Sequence, residues 1–361
     1  MAIFLDANAH VNLNSSAIKK INELVNSPIS HGHAMSHSYT GRAAASAIEE
    51  ARTKIAFLIG AKSPSQIIFT SGCTQSCEWA ISLIKEKNFN KIYISTLEHS
   101  SVKLPFTEKL KGIELSSSKD GVANCGFRIS SENPFMVCMH VQNEIGTIQP
   151  IETIKCPFLS DMSQSLGKIN INVSSIPLLK IALFGAHKFG GPTGIGFMYM
   201  QDSDWWQEFG TGSRYYFDRT GTPDTIGIAA TAVALEESIR TLPERYERMI
   251  RFRTVFESEM EDIGLTIIGK NSARVPNTSF VRVGNKMGPY IMSQLESDGI
   301  YIGLGSACGA MNMGPNPLMA QLGYGGHSHD YIRVSQFGDY SEKEALATAK
   351  IIKRFSGALK P

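Results

Sequence analysis

The sequence predicts an α/β fold divided between a larger and a smaller domain, and three observations support this prediction. In the first part of the chain, apolar runs of strand length alternate with helical or glycine-rich segments, as in a mostly parallel sheet covered by helices. After the long helical regions at 225–234 and 243–263 the pattern changes to short strands, further helices and a glycine-rich run, which indicates a smaller α+β domain. The length of 361 residues is sufficient for two packed domains.

The spacing of apolar residues predicts the elements in order. Two early helices are predicted over 18–25 and 45–58. The strand-length runs that follow lie at 67–69, 92–94, 135–141, 181–184 and 195–199. The later elements are helices over 225–234 and 243–263, a strand over 279–283, a helix opened by Pro289, a glycine-rich run over 303–314 and a strand over 332–335. A last helix begins at the capping box formed by Ser341 and Glu344.

Charge and composition exclude several classes of function. Lys and Arg total 35 and Asp and Glu total 33, so the net charge of +2 provides no basic field for nucleic acid or an anionic membrane. No apolar stretch approaches the roughly 20 residues that cross a bilayer, and the first residues lack the pattern of a secretory signal. We therefore expect a soluble, cytoplasmic protein with reduced thiols. The six cysteines are Cys73, Cys77, Cys125, Cys138, Cys156 and Cys308.

The segment 67–74 is a candidate phosphate site. A predicted strand runs into Ser71, Gly72, Cys73 and Thr74 and then into a helix, which places a helix N-terminus at the carboxyl edge of the sheet. The alternative is an ordinary tight turn with Thr74 at the helix start. The segment is neither a Walker A loop nor a GxGxxG motif.

Other candidate residues also follow predicted strands. Lys188 lies between the strand at 181–184 and a glycine-rich run, where burial can lower the pKa of its amine as a Schiff-base lysine requires. Asp161 follows a short apolar segment and is either a partner for a protonated pyridine nitrogen or a helix N-cap. His99 also follows a strand, although a lone histidine is more often structural.

Cys308 is the candidate nucleophile among the cysteines. It lies among the small residues of 303–310, which allow a loop to move and a thiolate to approach a ligand. Cys125, Cys138 and Cys156 lie in or beside apolar runs, which is typical of buried, inert thiols. We expect no metal site, because none of the paired Cys or His residues has a second pair to complete a zinc-type set. These pairs are Cys73 with Cys77, His31 with His33, and His327 with His329.

Taken together and in order, six motifs resemble those of the cysteine desulfurases, which belong to the class V aminotransferases. They lie at 70–76, 97–99, 140–146, 161–168, 187–188 and 305–308. The interval between Cys308 and Leu322 is similar to the longer cysteine loop of the group I enzymes. The resemblance implies a type I pyridoxal 5′-phosphate (PLP) fold, with a large PLP-binding domain over 15–235. The small domain, formed by 1–14 and 236–361, would carry the cysteine loop.

The resemblance also implies roles for individual residues around PLP. Lys188 would bind the cofactor covalently and then transfer protons. Asp161 would pair with the pyridinium nitrogen, Gln164 would hydrogen-bond the phenolic oxygen, and His99 would stack on the ring and assist proton transfer. The phosphate would be held by Cys73, Thr74 and His187, together with Thr222 from the other subunit of a homodimer.

The substrate implied by the resemblance is L-cysteine. Asn143, which would also contact the cofactor, and Arg333 would take its carboxylate, Arg333 by a two-pronged contact. Cys308 would attack the substrate sulfur and become a persulfide, with alanine as the other product. The persulfide would pass to a sulfur-acceptor protein, which the sequence does not identify. Iron–sulfur assembly, tRNA thiolation and DNA sulfur modification all use such enzymes.

Several departures from the family pattern keep alternatives open. Gly185 stands where the family usually has a phosphate-binding serine, so we expect weaker PLP binding. The opening at 6–10 and the motif around Ser36 and His37 differ from the family's, and the segment 147–160 is shortened by most of a helix. The alternatives are a selenocysteine lyase, another class V PLP lyase, or a weakened scaffold that binds a sulfur-acceptor protein.

Overall fold

The computed structural model describes residues 2–127, 131–202, 222–305 and 314–359. The strands are β1 Ile3–Leu5, β2 Ile67–Thr70, β3 Lys91–Ser95, β4 Ile113–Leu115, β5 Pro134–Val137, β6 Phe158–Asp161, β7 Leu179–Gly185, β8 Gly196–Met200, β9 Thr266–Ile267, β10 Thr278–Arg282, β11 Ile300–Ile302 and β12 Tyr331–Ser335. The α-helices are α1 Ser15–Val25, α2 Tyr39–Leu58, α3 Cys73–Glu86, α4 Ser100–Leu110, α5 Thr225–Arg240, α6 Leu242–Glu261, α7 Gly288–Ser297, α8 Pro317–Gln321 and α9 Glu342–Lys353.

The central element is a seven-stranded sheet with the order β2-β8-β7-β6-β5-β3-β4. Strand β8 runs antiparallel to both of its neighbours, and the other strands pair in parallel. The predicted α/β class with a mostly parallel sheet is therefore confirmed. Because parallel strands end at the same edge, the turns after β3, β5, β6 and β7 lie close together.

Helices cover both faces of this sheet. Along β7, Leu183 packs with the α3 and α4 residues on one face, whereas Phe184 packs with α2 and α5 residues on the other. This alternation follows from the two-residue period of a strand. Since both faces are buried, the central strands are apolar throughout, which made them recognisable in the sequence.

A separate apolar cluster lies around the two smaller sheets. It joins Leu5 of the N-terminal strand to residues of α6, β10, β12 and α9, such as Phe256 and Ile332. Strand β1 pairs in parallel with β11, and β10 lies between β12 and β9. On the basis of this cluster we propose two domains, a large one over 15–235 and a small one formed by 1–14 and 236–361.

The connection between β5 and β6 contains no α-helix; residues 138–157 are all described and hold only the 3₁₀ turn Ile151–Thr153. The predicted strand at 135–141 ends earlier, at Val137. Residues after it are buried in a loop held by the side chains of Gln142 and Gln149. Among the described helices, none is both long and apolar enough to cross a membrane.

Gly196 permits the closest backbone approach beside the start of α3. A Cβ atom there would lie 2.6 Å from Gly72 Cα and 2.7 Å from the Phe184 carbonyl oxygen. Neither contact involves a side chain that can move away, so the strand must carry glycine at this point. The approach fixes β8 against the turn that leads into α3.

We predict that Gly196→Ala lowers the free energy of unfolding by about 1–3 kcal/mol, because the added methyl group overpacks the backbone. Chemical denaturation monitored by circular dichroism measures the change. Gly357→Ala is the control, since a Cβ atom at Gly357 meets nothing within 4 Å. Equal denaturation midpoints for the two variants would contradict this reading of Gly196.

Candidate active site

The candidate site lies at the carboxyl edge of the seven-stranded sheet. Strand β2 leads through Gly72 into α3, and β3 precedes His99. Strand β6 ends at Asp161, and β7 ends just before the turn that holds Lys188. The sheet therefore gathers residues that are far apart in the sequence, as is usual for α/β ligand sites.

The N-terminus of α3 is open to a ligand. Its N-cap residue, Gly72, has φ +152° and makes no side-chain capping bond. Thr74 lies exposed in the first turn, and Cys73 is half-buried. Unsatisfied N–H groups and the positive end of the helix dipole favour an anion at such a position.

Lys188 is held as a desolvated amine. Its Nζ donates to the backbone oxygens of Asn8 at 2.7 Å and Ala9 at 2.8 Å. Burial, and then the positive charge of Arg333, lower the pKa of Lys188 to about 8, against the opposing effect of Asp161. The predicted lowering of its pKa is thus found in the structure.

Asp161 supplies negative charge beside Lys188 and α3. It is buried, and its Oδ1 accepts the backbone N–H of Ser163 at 2.9 Å. Together with burial, its charge raises the pKa of the Cys73 thiol well above the usual value. Asp161 is therefore a strand-end acid facing the helix start rather than a helix N-cap, since no helix follows β6 directly.

Two histidines at the site are neutral near pH 7. His99 is the N-cap of α4, and its Nδ1 accepts the Ser101 N–H at 3.2 Å. Burial lowers the pKa of His99 against the opposing charge of Asp161, and Lys188 and Arg333 add to the lowering. Burial also lowers the pKa of His187 to about 4, and its ring stacks on that of His10 with centroids 5.9 Å apart.

Arg333 lies on β12, at the other side of the site, and is only 2% exposed. Its Nη2 donates to Asp6 Oδ1 at 2.6 Å and its Nη1 to the Asn143 backbone oxygen at 3.1 Å. Among the described residues its Nε has no hydrogen-bond partner. Asn143 and Arg333, predicted to act together, are therefore neighbours.

A cavity of about 350 Å³ opens beside His99 and Asn143. Leu304 and Asn316, which flank the segment 306–313, also line it. Cys308 itself lies in that segment, outside the described residues. Both ends of the cysteine loop thus border the same cavity as two of the predicted site residues.

Thr222 and Gly185 complete the predicted residues. Thr222 is exposed, and its hydroxyl lies 3.3 Å from His33 Nε2. Gly185 is buried in the turn before Lys188, with ordinary extended backbone angles that any residue can adopt. Among the described residues, no group of three or more His, Cys, Asp or Glu side chains is arranged to hold a metal ion.

Two residues that lie beside Lys188 and Gln164 were not predicted as site residues, Asn8 and Lys168. Asn8 accepts from Lys188 through its backbone oxygen and is 3% exposed. Lys168 is fully buried and hydrogen-bonds the side chains of Asn8 and Gln164. In the sequence, Lys168 appears only as the last residue of the motif at 161–168. It was not predicted to be buried, because lysines usually lie at the surface.

Comparison with known proteins relates this geometry to a family. Residues 3–348 match the aminotransferase class V family. A cysteine desulfurase IscS from Dictyoglomus turgidum is 32% identical over 348 residues, covering 87% of this chain and 84% of the relative. The cysteine desulfurase IscS of Clostridium botulinum strain Kyoto is 27% identical, covering 82% and 80% of the two chains.

Solved structures agree with the sequence comparison. A NifS-like protein superposes with a TM-score of 0.86 at 25% identity, over 99% of this chain and all of that chain. A structure described as SspA in complex with cysteine has a TM-score of 0.76 at 25% identity, covering 92% and 98% of the two chains.

The lowered pKa of Lys188 predicts a pH dependence. The amine reacts with aldehydes only when unprotonated, so its labelling should rise with pH through about 8 and level off above. Reductive alkylation of the ligand-free protein, followed by peptide mass spectrometry, measures this. The charged or titratable groups that act on Lys188 or respond to it are Arg333, Asp161, Cys73, Asp6, Lys168, His99 and His187.

Lys353 is the internal control for this measurement. Its hydrogen bond to Glu259 raises the pKa of Lys353, so its labelling should begin at higher pH than that of Lys188. Identical pH profiles for the two lysines would show that the site does not perturb Lys188.

Proposed function

The chain belongs to the class V aminotransferase family and is a cysteine desulfurase of the NifS/IscS-like kind, and on this basis we propose how its residues carry out the reaction. L-cysteine and the Cys308 thiol would give L-alanine and a Cys308 persulfide. The Cys308 thiolate forms a sulfur–sulfur bond with the substrate sulfur and the carbon–sulfur bond breaks. Its electron pair stays with the substrate Cβ, where one proton replaces the sulfur. The observation that carries the proposal is the low-pKa amine of Lys188 beside Asp161 and the open start of α3.

These residues fit PLP. Lys188 offers an amine that is unprotonated in part near neutral pH, and α3 offers unsatisfied N–H groups to a phosphate. Asp161 is the buried acid for a protonated ring nitrogen, and Gln164 has an amide for the phenolic oxygen. His187, with Cys73 and Thr74, completes the proposed phosphate contacts. When bound, PLP acts as an electron sink for the substrate Cα.

We propose that Lys188 and His99 move the protons of the reaction. Lys188 is desolvated, and its pKa of about 8 is close to the operating pH of a proton-transfer group. His99 is neutral, with its Nδ1 already accepting from Ser101, so the ring proton belongs on Nε2. The substrate carboxylate would contact Asn143 and Arg333, whose Nε still lacks a partner among the described residues.

Cys308 is proposed as the sulfur-accepting nucleophile. The support is its motif in the sequence and the position of both loop ends, at Leu304 and Asn316, on the cavity that His99 lines. A loop anchored at that cavity can deliver a thiol to the substrate and then present it to an acceptor. The acceptor is proposed to be a protein and is not identified by these residues.

We also propose a homodimer. The support is Thr222, which is exposed and follows the family's pattern for a phosphate-binding residue donated across a two-fold axis. In such an assembly each Thr222 would serve the partner's phosphate site.

We predict that Cys308→Ser abolishes sulfur transfer while leaving cofactor binding intact, because the thiol is needed only after the substrate has bound. Alanine formation from L-cysteine, with dithiothreitol as acceptor, should fall on the order of 10³-fold or more. The visible absorption of bound PLP should be unchanged. Mass spectrometry of the wild-type loop peptide during turnover should find one added sulfur on Cys308.

Cys156→Ser is the matched control, because Cys156 is buried before β6 and away from the proposed chemistry. Rapid alanine formation by Cys308→Ser, or a wild-type Cys308 without added sulfur, would refute the persulfide route. A lyase that acts on selenocysteine without Cys308 would then be the better description. A wild-type protein that takes up no PLP would instead favour the scaffold alternative.

Gly185→Ser should tighten PLP binding, because the serine hydroxyl can supply a hydrogen bond that glycine lacks. One such bond corresponds to about a two- to hundredfold lower dissociation constant, measured by equilibrium dialysis. The new Cβ would lie 3.2 Å from His187 Cε1, so that ring must move by a few tenths of an ångström. Gly185→Ala adds the same Cβ without the hydroxyl, and equal affinity of the two variants would contradict the prediction.

A further inference from the structure

Lys168 is an unusual residue in this site because its amine has no contact with solvent. It lies in the turn after β6, beyond Gly167, and is 0% exposed. A buried amine is unfavourable unless hydrogen bonds replace its hydration. Its Nζ donates to Asn8 Oδ1 at 2.9 Å and also to Gln164 Oε1.

Both acceptors of Lys168 are side-chain amide oxygens, and this fixes the direction of both amides. An Asn or Gln amide can rotate by half a turn and exchange its oxygen and nitrogen. With Oε1 turned to Lys168, Gln164 Nε2 faces the other way and donates to the Asn8 backbone oxygen at 2.8 Å. The amide nitrogen carries two hydrogens, so a second N–H can serve a ligand.

The same arrangement brings Gln164 to Lys188. The Asn8 backbone oxygen that accepts from Gln164 Nε2 also accepts from Lys188 Nζ, at 2.7 Å. The donor side of the Gln164 amide is therefore the side that faces the reactive amine, and its acceptor side faces Lys168. The side-chain oxygen of Asn8 has a second donor besides Lys168, because Asn277 Nδ2 also donates to Asn8 Oδ1 at 3.2 Å. Gln164 Oε1 has Lys168 as its donor.

We propose that Lys168 is a positioning residue that orients the Gln164 amide so that an N–H, and not the carbonyl oxygen, meets the phenolic oxygen of PLP. This inference rests on the proposed function. Lys168 acts through Gln164 and needs no contact with the cofactor. A reversed amide would direct its oxygen at a phenolate, where two acceptors repel each other.

The test uses the visible absorption of the PLP-bound protein as a function of pH. An N–H donated to the phenolic oxygen stabilises its deprotonated form, so removing it should raise the pH midpoint of the spectral change. For Lys168→Met, which keeps length but has no donor, we expect a rise of about one pH unit or more. Lys168→Arg retains donors and should recover most of the wild-type midpoint.

A double-mutant cycle separates positioning from a direct effect of the Lys168 charge or of packing. Gln164→Leu removes the amide, and in that background Lys168→Met should shift the midpoint by less than about a third of its effect in the wild type. Full additivity of the two substitutions would overturn the proposal. The groups whose charges act on Lys168 are Lys188, Arg333 and Arg245, and all three are unchanged throughout the cycle.

Two controls complete the experiment. Lys180→Met changes a lysine at the opposite end of β7, where it pairs with Asp202, and should leave the midpoint unchanged. Lys168→Gln is the second variant if Lys168→Met does not fold, and its shorter side chain should raise the midpoint in the same direction. If a folded Lys168 variant has an unchanged midpoint, the positioning role of Lys168 is overturned but the proposed function is not. A wild-type protein without cofactor absorption overturns the proposed function and this inference together.

Discussion

Among the described residues, seven hydrogen bonds involve Asn8, and the arrangement of the site depends on them. The Asn8 backbone N–H donates to Ser335 Oγ of β12, and its side chain donates to Thr278 Oγ1 of β10. Its backbone oxygen accepts from Lys188 and Gln164, which follow strands of the large sheet. One buried residue near the N-terminus therefore joins the two smaller-sheet strands to the reactive edge of the seven-stranded sheet. Each bond left unpaired there would cost about 1–3 kcal/mol.

Burial, and then the positive charge of Arg333, explain the lowered pKa of Lys188. Lys168 and Arg333 are both buried and both act on neighbouring positive groups, whereas Asp161 and Asp6 compensate them only in part. Burial removes water that would otherwise screen these charges, so the protonated form of each amine becomes unfavourable. A lysine on an exposed loop of the same sequence would keep its proton at neutral pH. By burying the turn after β7, the fold lowers the pKa of this lysine.

Most of the central sheet and the helices that cover it could be predicted, because their buried residues follow the regular spacing of strands and helices. The central strands are apolar on both faces, and the helices that cover them carry apolar residues at helical spacing. The predicted strand was wrong at residues 138–141, which lie in a loop although Cys138, Met139 and Val141 are apolar and buried. Helix α4 was not predicted, since it contains Pro105 and buries only Val102 and Phe106.

The site was predictable to the extent that its residues follow strands directly. Asp161, His99 and Lys188 lie at or just after strand ends, and the order of the motifs predicted that they belong to one site. Asn8 and Lys168 could not be found in this way, because their importance lies in bonds between segments 160 residues apart. Neither periodicity nor composition reports on a hydrogen bond of that kind.

The same N-terminal segment also fixes Arg333, the residue proposed to bind the substrate carboxylate. The Arg333 guanidinium is 2% exposed, and burying such a group is unfavourable without a partner. Asp6 is that partner, because its carboxylate accepts from Arg333 Nη2. The Asp6 carboxylate reaches Arg333 only because residue 303 is glycine: a Cβ there would lie 2.5 Å from Asp6 Oδ1. Asp6 is itself one-third exposed, so water screens its charge and weakens its repulsion of a second carboxylate. Asp6 thus holds Arg333 in place while its Nε has no hydrogen-bond partner among the described residues. The two residues that allow this contact, Asp6 and Gly303, lie at the ends of β1 and β11, nearly 300 positions apart.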